Sequence, residues 1–319
     1  MHLTGSHPAQ TARLLARVTA GLIEAARPGM WLKPLFLMLV ASTYALRDLP
    51  DIKRLLEGFL IVGPLLWGGL YMLNAVTDVA EDARHPVKCL RPFPSGRISP
   101  RLGAWVSGGM ISAAMLLSLR VGYLFALCVL LMWLKQLAYT LPPLRLKRKF
   151  FWDILSGSVG NSTLRFAAGW FLFLQDWHLP LLLLLFAECL QLAGFFVNRL
   201  FTNYSMDLER KLGYSSTSAR LSPAAIRRII VGCWIVSIGC LVFLALNSGL
   251  GIYPHFLGAL PIQSLIVLVL LLAAVPLFER AMIRAERFSY RESQVYYDLP
   301  LVYMFILSVL LSAIIKLNA

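Results

Sequence analysis

Long apolar stretches recur along this chain and constrain its fold more than any other feature. Nine of them approach the ~20 residues with which an α-helix crosses the ~30 Å hydrocarbon core of a bilayer. We therefore expect an all-α, polytopic integral membrane protein. The predicted spans cover residues 31–47, 56–75, 102–119, 121–139, 151–174, 180–198, 229–248, 256–277 and 298–317.

The composition agrees with this prediction. Apolar residues make up 58% of the 319 and charged residues 14%, whereas water-soluble domains average about 45–50% and about 25%. We find no Pro- or Gly-rich linker and no convincing internal repeat. The chain is therefore expected to form one nine-helix transmembrane domain at 30–319, preceded at 1–29 by a cytosolic amphipathic segment on the membrane surface.

The basic residues come in short bursts between the apolar stretches. Lys and Arg number 30 against 16 Asp and Glu, a net charge of +14, but they do not form the hydrated basic surface of a nucleic-acid binder. The even-numbered loops carry five, four, six and four Lys or Arg, and the odd-numbered loops three (counting Arg47 at the end of the first span), one, none and none. By the positive-inside rule, the even-numbered loops and the N-terminus are expected to be cytosolic.

Three oxygen-bearing residues lie at the end of the second predicted span. Asn74, Asp78 and Asp82 are four residues apart, so on a helix they share one face. Mg²⁺ usually takes one or two protein carboxylates and completes its shell with water and substrate phosphate, so this spacing favours a metal together with a phosphorylated ligand. The alternative is an ordinary solvated helix end, but ionisable groups at such a depth are costly unless they are used.

The segment that follows carries the sharpest motif of the chain. It reads RHPVKCLRPFPSGRIS over 84–99. It resembles the R-P-x-P-S-G-R-I-S loop after the first aspartate-rich motif of the UbiA superfamily, the intramembrane prenyltransferases that attach isoprenoids to quinone, chlorophyll and haem precursors. The resemblance implies that Lys88 and Arg91 place cations beside a metal-bound diphosphate, in a loop stiffened by Pro92 and turned at Gly96.

Two further segments resemble motifs of this superfamily. One is YTLPPLRLKR at 139–148, similar to its cytosolic loop between spans four and five, and the other is LRFAAG at 164–169, similar to its L-R-x-x-A-G motif. Lys135 and Arg165 are cations within apolar stretches, so each is expected to face a partner or a watery cavity. For Lys135 the alternative is that its ammonium group extends to the cytosolic interface.

The second aspartate motif of the superfamily is only partly present. Asp207 and Lys211 keep its D-x-x-x-K-x-G-x-x-S-T tail, whereas Asn198 and Ser205 stand where carboxylates are expected. The resemblance implies a second Mg²⁺ site formed by Asn198, Asp207 and Glu209, with fewer charges and therefore weaker binding.

Other short matches resemble one branch of the superfamily, the decaprenyl-phosphate phosphoribosyltransferases. Those enzymes use phosphoribosyl diphosphate as donor and a polyprenyl phosphate as acceptor. Ala75 departs from the branch, which usually has Asp there, and the P-S-G-R-I-S loop is the commoner prenyltransferase form. The matching segments are RPGMWLK at 27–33, HPVK at 85–88 and QLAY at 136–139.

The resemblance as a whole implies a nine-helix UbiA-like bundle around a lipid-accessible cavity, with Mg²⁺ as cofactor. A prenyl diphosphate donor would ionise there, and the prenyl group would pass to an aromatic or lipophilic acceptor that enters from the membrane lipid. Phosphoribosyl transfer to a polyprenyl phosphate and terpene cyclisation are the alternatives within the enzyme class. The implied catalytic residues are Asp78, Asp82, Lys88, Arg91 and Asp207; the metal ligands Asn74, Asp78, Asp82, Asp207 and Glu209; and the substrate-binding residues Lys33, Lys135, Tyr139, Arg145, Lys147, Arg165, Asn198, Arg210 and Lys211.

A transporter is the rival from another functional class, because it also needs polar residues within a helical bundle. Transporters place such groups near the middle of the membrane, on paired broken helices. Here the acidic and basic clusters collect at the cytosolic ends of spans two, four and six, an arrangement that favours a one-sided enzyme. A non-catalytic scaffold would have no use for three oxygen ligands on one helix face.

Overall fold

The computed structural model describes residues 8–46, 50–85, 88–201, 211, 216–250, 257–285 and 299–318, and within these ranges it contains helices, turns and loops but no strand. Each predicted span coincides with helical structure. The helices are α1 (Pro8–Ala26), α2 (Leu32–Leu46), α3 (Ile52–Leu60), α4 (Gly68–Thr77), α5 (Val79–Asp82), α6 (Pro100–Val121), α7 (Tyr123–Thr140), α8 (Trp152–Ile154), α9 (Gly160–Phe171), α10 (Leu181–Phe201), α11 (Thr217–Arg220), α12 (Pro223–Leu250), α13 (Leu265–Ala285) and α14 (Leu299–Leu317).

Eight helices in the described part of the chain are long and apolar enough to cross a membrane. The fifth predicted span, 151–174, is not among these eight; it is also helical but differs in composition. It consists of α8, the π-helix Leu155–Val159 and α9, and it carries Asn161, Thr163 and Arg165 within its length. These polar side chains explain why this segment does not count among the apolar helices, and they make it a candidate for lining a site.

A second π-helix, Ile61–Trp67, joins α3 to α4 and contains Pro64. Proline lacks the N–H that an α-helix needs and crowds the preceding turn, so a widened turn here is the expected response. The whole stretch Ile52–Thr77 still forms one candidate membrane span.

Helix α2 occupies the centre of the main hydrophobic core, packed between α9 and α14. The approach to α9 is close at Gly169, where an added Cβ would lie 2.5 Å from the Met38 Cα. On the α14 side, the Thr43 hydroxyl donates a hydrogen bond to Ser312 Oγ at 3.1 Å. Small residues and hydroxyl contacts of this kind are typical of helix packing in membranes.

The end of α1 and the loop after residue 91 pack on α4. Ala25 and Ala26 form a small core with Met72 of α4 and with Phe93 and Ile98 of the loop. The earlier part of α1 is exposed, including Leu14 and Leu15. The division into an N-terminal segment at 1–29 and a domain at 30–319 stays a prediction.

Candidate active site

Asn74 and Asp78 lie where α4 ends. Asp78 adopts a turn conformation between α4 and α5, but its backbone N–H still donates to Asn74 O at 3.1 Å, so the two side chains stay on one face. Asn74 Nδ2 donates to Asp78 Oδ2 at 3.1 Å. Asn74 Oδ1 accepts a hydrogen bond from the Thr140 hydroxyl at 3.3 Å, which joins this face to the end of α7.

Two cations from the loop after α7 contact these oxygens. Lys147 Nζ lies 2.6 Å and 2.7 Å from the two carboxylate oxygens of Asp78 and 2.9 Å from Asn74 Oδ1. Arg145 donates to Asp78 Oδ1 at 3.2 Å and also pairs with Glu81. We call Asn74, Asp78, Glu81, Arg145 and Lys147 the aspartate cluster, and the end of the bundle that carries it the aspartate end.

Burial governs the electrostatics of Lys147. Its side chain is 12% exposed and that of Asp78 is 15% exposed. Burial lowers the pKa of the Lys147 ammonium from its ordinary value, and the adjacent Asp78 carboxylate opposes that shift. The ion pair is therefore poorly screened, and an anion placed beside Lys147 and Arg145 would interact strongly with both.

The loop that carries Lys147 is held in an unusual backbone conformation. Arg145 and Phe151 have φ values of 41° and 69°, which residues other than glycine rarely adopt. Arg145 is held by its two carboxylate partners. The Phe151 N–H donates to Thr217 Oγ1 at 2.6 Å, and Asp153 accepts from Thr217 N at 2.9 Å and from Thr217 Oγ1 at 2.5 Å. Asp153 thus joins this loop to α11.

Glu81 was not selected from the sequence. It pairs with Arg145 and with Arg148. The signal was present, because Glu81 follows Asp78 by three residues and such pairs are neighbours on a helix surface.

Asp82 is buried and pairs with Arg91 across 2.8 Å. The loop is fixed further by Arg97, which donates to Glu24 at 3.0 Å and to Leu90 O at 2.8 Å. The predicted one-face triad is therefore divided in this structure, since two of its members join the aspartate cluster and the third holds the 88–98 loop. Lys88 lies in the 3₁₀ turn that begins this loop and is partly buried.

The residues present fit a bound Mg²⁺. Asn74 and Asp78 supply one amide and two carboxylate oxygens that already converge on a cationic group, the Lys147 ammonium. Mg²⁺ prefers such oxygen ligands and keeps several positions for water and phosphate. Arg145 and Lys147, which contact the Asp78 carboxylate, would be available to that phosphate once the metal takes these oxygens.

Lys135 and Tyr139 lie on α7, the helix whose last residue, Thr140, contacts Asn74. Lys135 Nζ donates to Ser156 O at 2.5 Å and also to Asn161 Oδ1, so it binds the π-helix and α9. The Tyr139 ring packs so closely on Gly157 that a Cβ there would lie 2.9 Å from the ring. The alternative in which Lys135 extends to the interface is wrong, because its ammonium group turns into the bundle.

Arg165 lies deeper in the bundle. It is 3% exposed, and its guanidinium carbon is 4.1 Å from the centre of the Trp67 ring, a cation–π contact. It also interacts with Tyr71.

The remaining predicted residues are spread over three segments. Lys33 is partly buried near the start of α2, Asn198 is 7% exposed on α10, and Lys211 is exposed. Asp207, Glu209 and Arg210 lie outside the described residues. The second metal site therefore stays a prediction.

The UbiA prenyltransferase family matches this chain over residues 35–313, a range that includes every described element of the aspartate cluster. The chain belongs to the UbiA prenyltransferase family. The superfamily inferred from the sequence motifs is confirmed, and with it the assignment to an enzyme family. Membership also confirms a multi-pass integral membrane protein.

Solved structures of UbiA homologues share this fold. The homologue from Archaeoglobus fulgidus bound to DMAPP and Mg²⁺ aligns with a TM-score of 0.65 at 17% identity, covering 93% of this chain and 99% of that one. The same homologue bound to GPP and Mg²⁺ aligns with a TM-score of 0.64, also at 17% identity, over 92% and 98%. The predicted UbiA-like, all-helical fold class is confirmed.

Curated relatives of this UbiA protein share only part of their length with it. A decaprenyl-phosphate phosphoribosyltransferase of Mycolicibacterium smegmatis is 32% identical over 104 residues, which are 31% of this chain and 32% of the relative. The enzyme of that name from Mycobacterium tuberculosis is 28% identical over 133 residues, 35% of this chain and 44% of the relative. The chain thus matches less than half the length of either.

Proposed function

We propose that this protein is a Mg²⁺-dependent intramembrane transferase that binds a diphosphate donor at the aspartate cluster. The supporting observation is the convergence of Asn74 and Asp78 oxygens with two poorly screened cations, Lys147 and Arg145. Such a set provides both halves of a metal–diphosphate site, oxygen ligands for the metal and donors for the phosphate oxygens.

The cations have a direct role in the reaction. Bound Mg²⁺ would neutralise charge on the phosphate oxygens. Lys147 and Arg145 contact Asp78 in this structure, and once Mg²⁺ takes those oxygens the two cations would pass to the diphosphate. Their positive charge would then stabilise the negative charge that builds on departing diphosphate as the C–O bond breaks. Arg91 joins them if the donor draws it from Asp82. The apolar bundle excludes water from the carbon that loses the diphosphate.

An allylic prenyl diphosphate is the donor we propose, with an aromatic or lipophilic acceptor. Family membership supports this choice. The A. fulgidus homologue, of the same fold, has been solved with GPP or DMAPP and Mg²⁺. Terpene cyclisation needs no external acceptor. It is the expected reaction if the release of diphosphate from the donor does not depend on any acceptor.

Phosphoribosyl diphosphate is the second candidate donor. It is supported by the matches to decaprenyl-phosphate phosphoribosyltransferases and by the polar side chains that α9 carries into the bundle, among them Asn161, Thr163 and Arg165. Hydroxyl groups of a ribose would find hydrogen-bond partners there, whereas a prenyl chain would not.

We further propose that the aspartate end faces the cytosol. The even-numbered loops hold the excess of Lys and Arg, and two of them, at 84–101 and 141–150, supply the cations of the site. A cytosolic site would draw water-soluble donors from the cytosol and acceptors from the membrane.

The deciding experiment is a donor screen on the purified protein in detergent. It follows Mg²⁺-dependent release of inorganic diphosphate from prenyl diphosphates of several lengths and from phosphoribosyl diphosphate, each with and without polyprenyl phosphate. We expect release from allylic donors by the wild type and a loss of at least about 100-fold in the Asp78→Ala variant. Release only from phosphoribosyl diphosphate would establish the second candidate. Release from no donor would refute the proposal.

A further inference from the structure

A second group of ionisable side chains lies inside the bundle, apart from the aspartate cluster. Arg165 on α9 and Glu188 on α10 interact electrostatically, and Lys135 interacts with both. Glu188 is the eighth residue of the 21-residue α10, so at 1.5 Å per residue it lies about 10 Å from one end of that helix and about 20 Å from the other. This depth is within the hydrocarbon of a bilayer.

Several polar atoms of this group have no hydrogen-bond partner among the described residues. Glu188 Oε1 accepts from the Thr163 hydroxyl, but Glu188 Oε2 is buried without a partner. Gln191 follows one turn later on the same face, and its Oε1 is also buried and unpaired. Arg165 is 3% exposed and stacked on Trp67, yet its Nε is unpaired too. Buried groups of this kind are costly in an apolar interior unless a ligand satisfies them.

The unpaired atoms specify the chemistry of such a ligand. Two of them, Glu188 Oε2 and Gln191 Oε1, are acceptors, so the ligand must bring a hydrogen-bond donor. A phosphate at this position would place negative charge against Glu188, which disfavours it. A hydroxyl group fits, because its one O–H donates to one of these two acceptors and its oxygen can accept from Arg165 Nε.

We propose that Arg165, Glu188 and Gln191 form an intramembrane subsite that binds a hydroxyl group of a substrate. The inference rests on the proposed function in so far as the ligand is a substrate of the same reaction. The hydroxyl has two possible sources, a phenol or alcohol acceptor and the ribose of a phosphoribosyl donor. Both sources present the same hydrogen-bonding group, and the experiment below distinguishes one source from the other.

The test measures ligand affinity in detergent for the wild type, Glu188→Leu and Gln191→Leu. Glu57→Leu is the matched control, because Glu57 is an exposed carboxylate on α3. One arm compares phosphoribosyl diphosphate with inorganic diphosphate in the presence of Mg²⁺. The other compares 4-methylphenol with 4-methylanisole, which has no hydroxyl to donate, and needs neither metal nor diphosphate.

We expect the wild type and the control to prefer the hydroxylated ligand by about tenfold or more in one arm, which identifies the source. Both subsite variants should reduce that preference to below about twofold and still bind inorganic diphosphate normally, which shows that they are folded. A preference that survives in both variants, or no preference in either arm, would overturn the subsite. If no protein binds inorganic diphosphate, the proposed function fails, and the 4-methylphenol arm still decides the subsite.

Discussion

At the residue scale, Lys147 is the side chain whose role the contacts define best. It lies within 2.9 Å of three oxygens of the proposed metal ligands, and in the complex with a donor it would pass to the phosphate. We predict that Lys147→Met raises KM for the donor at least about tenfold, because it removes a charge-assisted hydrogen bond to diphosphate.

The matched control for this prediction is Lys149→Met. Lys149 lies two residues further along the same loop but is exposed, so its loss should leave KM within about twofold. Steady-state kinetics over a donor series measures both variants. Equal effects of the two substitutions would indicate that only the net charge of the loop matters.

Some features of the site that were not selected from the sequence carry a sequence signal, and others carry none. Glu81 carries a positional signal, as does Glu188, an isolated acidic residue in a predicted span, where charge is costly unless used. The contact between Lys147 and Asp78 joins positions 69 residues apart, and the link between Asp153 and Thr217 joins positions 64 apart. No pattern in the sequence encodes such contacts, since they depend on how the loops fold back.

At the element scale, the close packing of α2 on α9 is predicted to depend on Gly169. A methyl group there would meet the Met38 backbone at 2.5 Å, and backbone cannot move aside as a side chain can. We expect Gly169→Ala to destabilise the protein by about 1–3 kcal/mol, the usual cost of overpacking. Thermal unfolding in detergent measures the effect.

Gly109 on α6 provides the comparison for Gly169. An added Cβ there has nothing within 4 Å, so Gly109→Ala should leave the unfolding temperature unchanged or slightly raised, through the better helix propensity of alanine. A similar loss of stability in both variants would contradict the close packing of α2 on α9.

The link between the 141–151 loop and α11 yields a second prediction at this scale. Thr217→Val removes the hydrogen bond that Thr217 Oγ1 accepts from the Phe151 N–H and the one that the Thr217 hydroxyl donates to Asp153. It therefore leaves the buried Asp153 carboxylate poorly paired. We expect a loss of about 1–3 kcal/mol in stability and a raised KM for the donor, because the loop also carries Lys147. Thr217→Ser keeps the hydroxyl and should behave as wild type. Wild-type stability in Thr217→Val would rule out the link.

The helices themselves were largely predictable, because length and hydropathy determine which segments can cross a bilayer. All nine predicted spans coincide with helical structure in the described residues, and the segment 151–174 departs only in being polar and in containing a π-helix. The π-helices were not predictable, since Pro64 marks one of them but the Ser-Gly-Ser stretch at 156–158 has no distinctive periodicity.

At the scale of the whole molecule, the orientation in the membrane is predicted from the loop charges. Cys89 lies in the 88–98 loop at the aspartate end, whereas the other four cysteines lie within predicted spans. A membrane-impermeant maleimide should therefore label Cys89 in inside-out vesicles and not in right-side-out vesicles. The Cys89→Ser variant shows that the label is on this residue. Labelling from the outside would reverse the proposed topology.

The activity proposed for the whole molecule depends on the aspartate cluster binding a metal together with a diphosphate. The most direct measurement is calorimetric binding of inorganic diphosphate to the purified protein with and without Mg²⁺, for the wild type, Asp78→Ala and the control Glu57→Ala. We expect Mg²⁺-dependent binding by the wild type and the control, and a loss of at least about 100-fold in affinity for Asp78→Ala. Binding that is independent of Mg²⁺, or unchanged in Asp78→Ala, would contradict it.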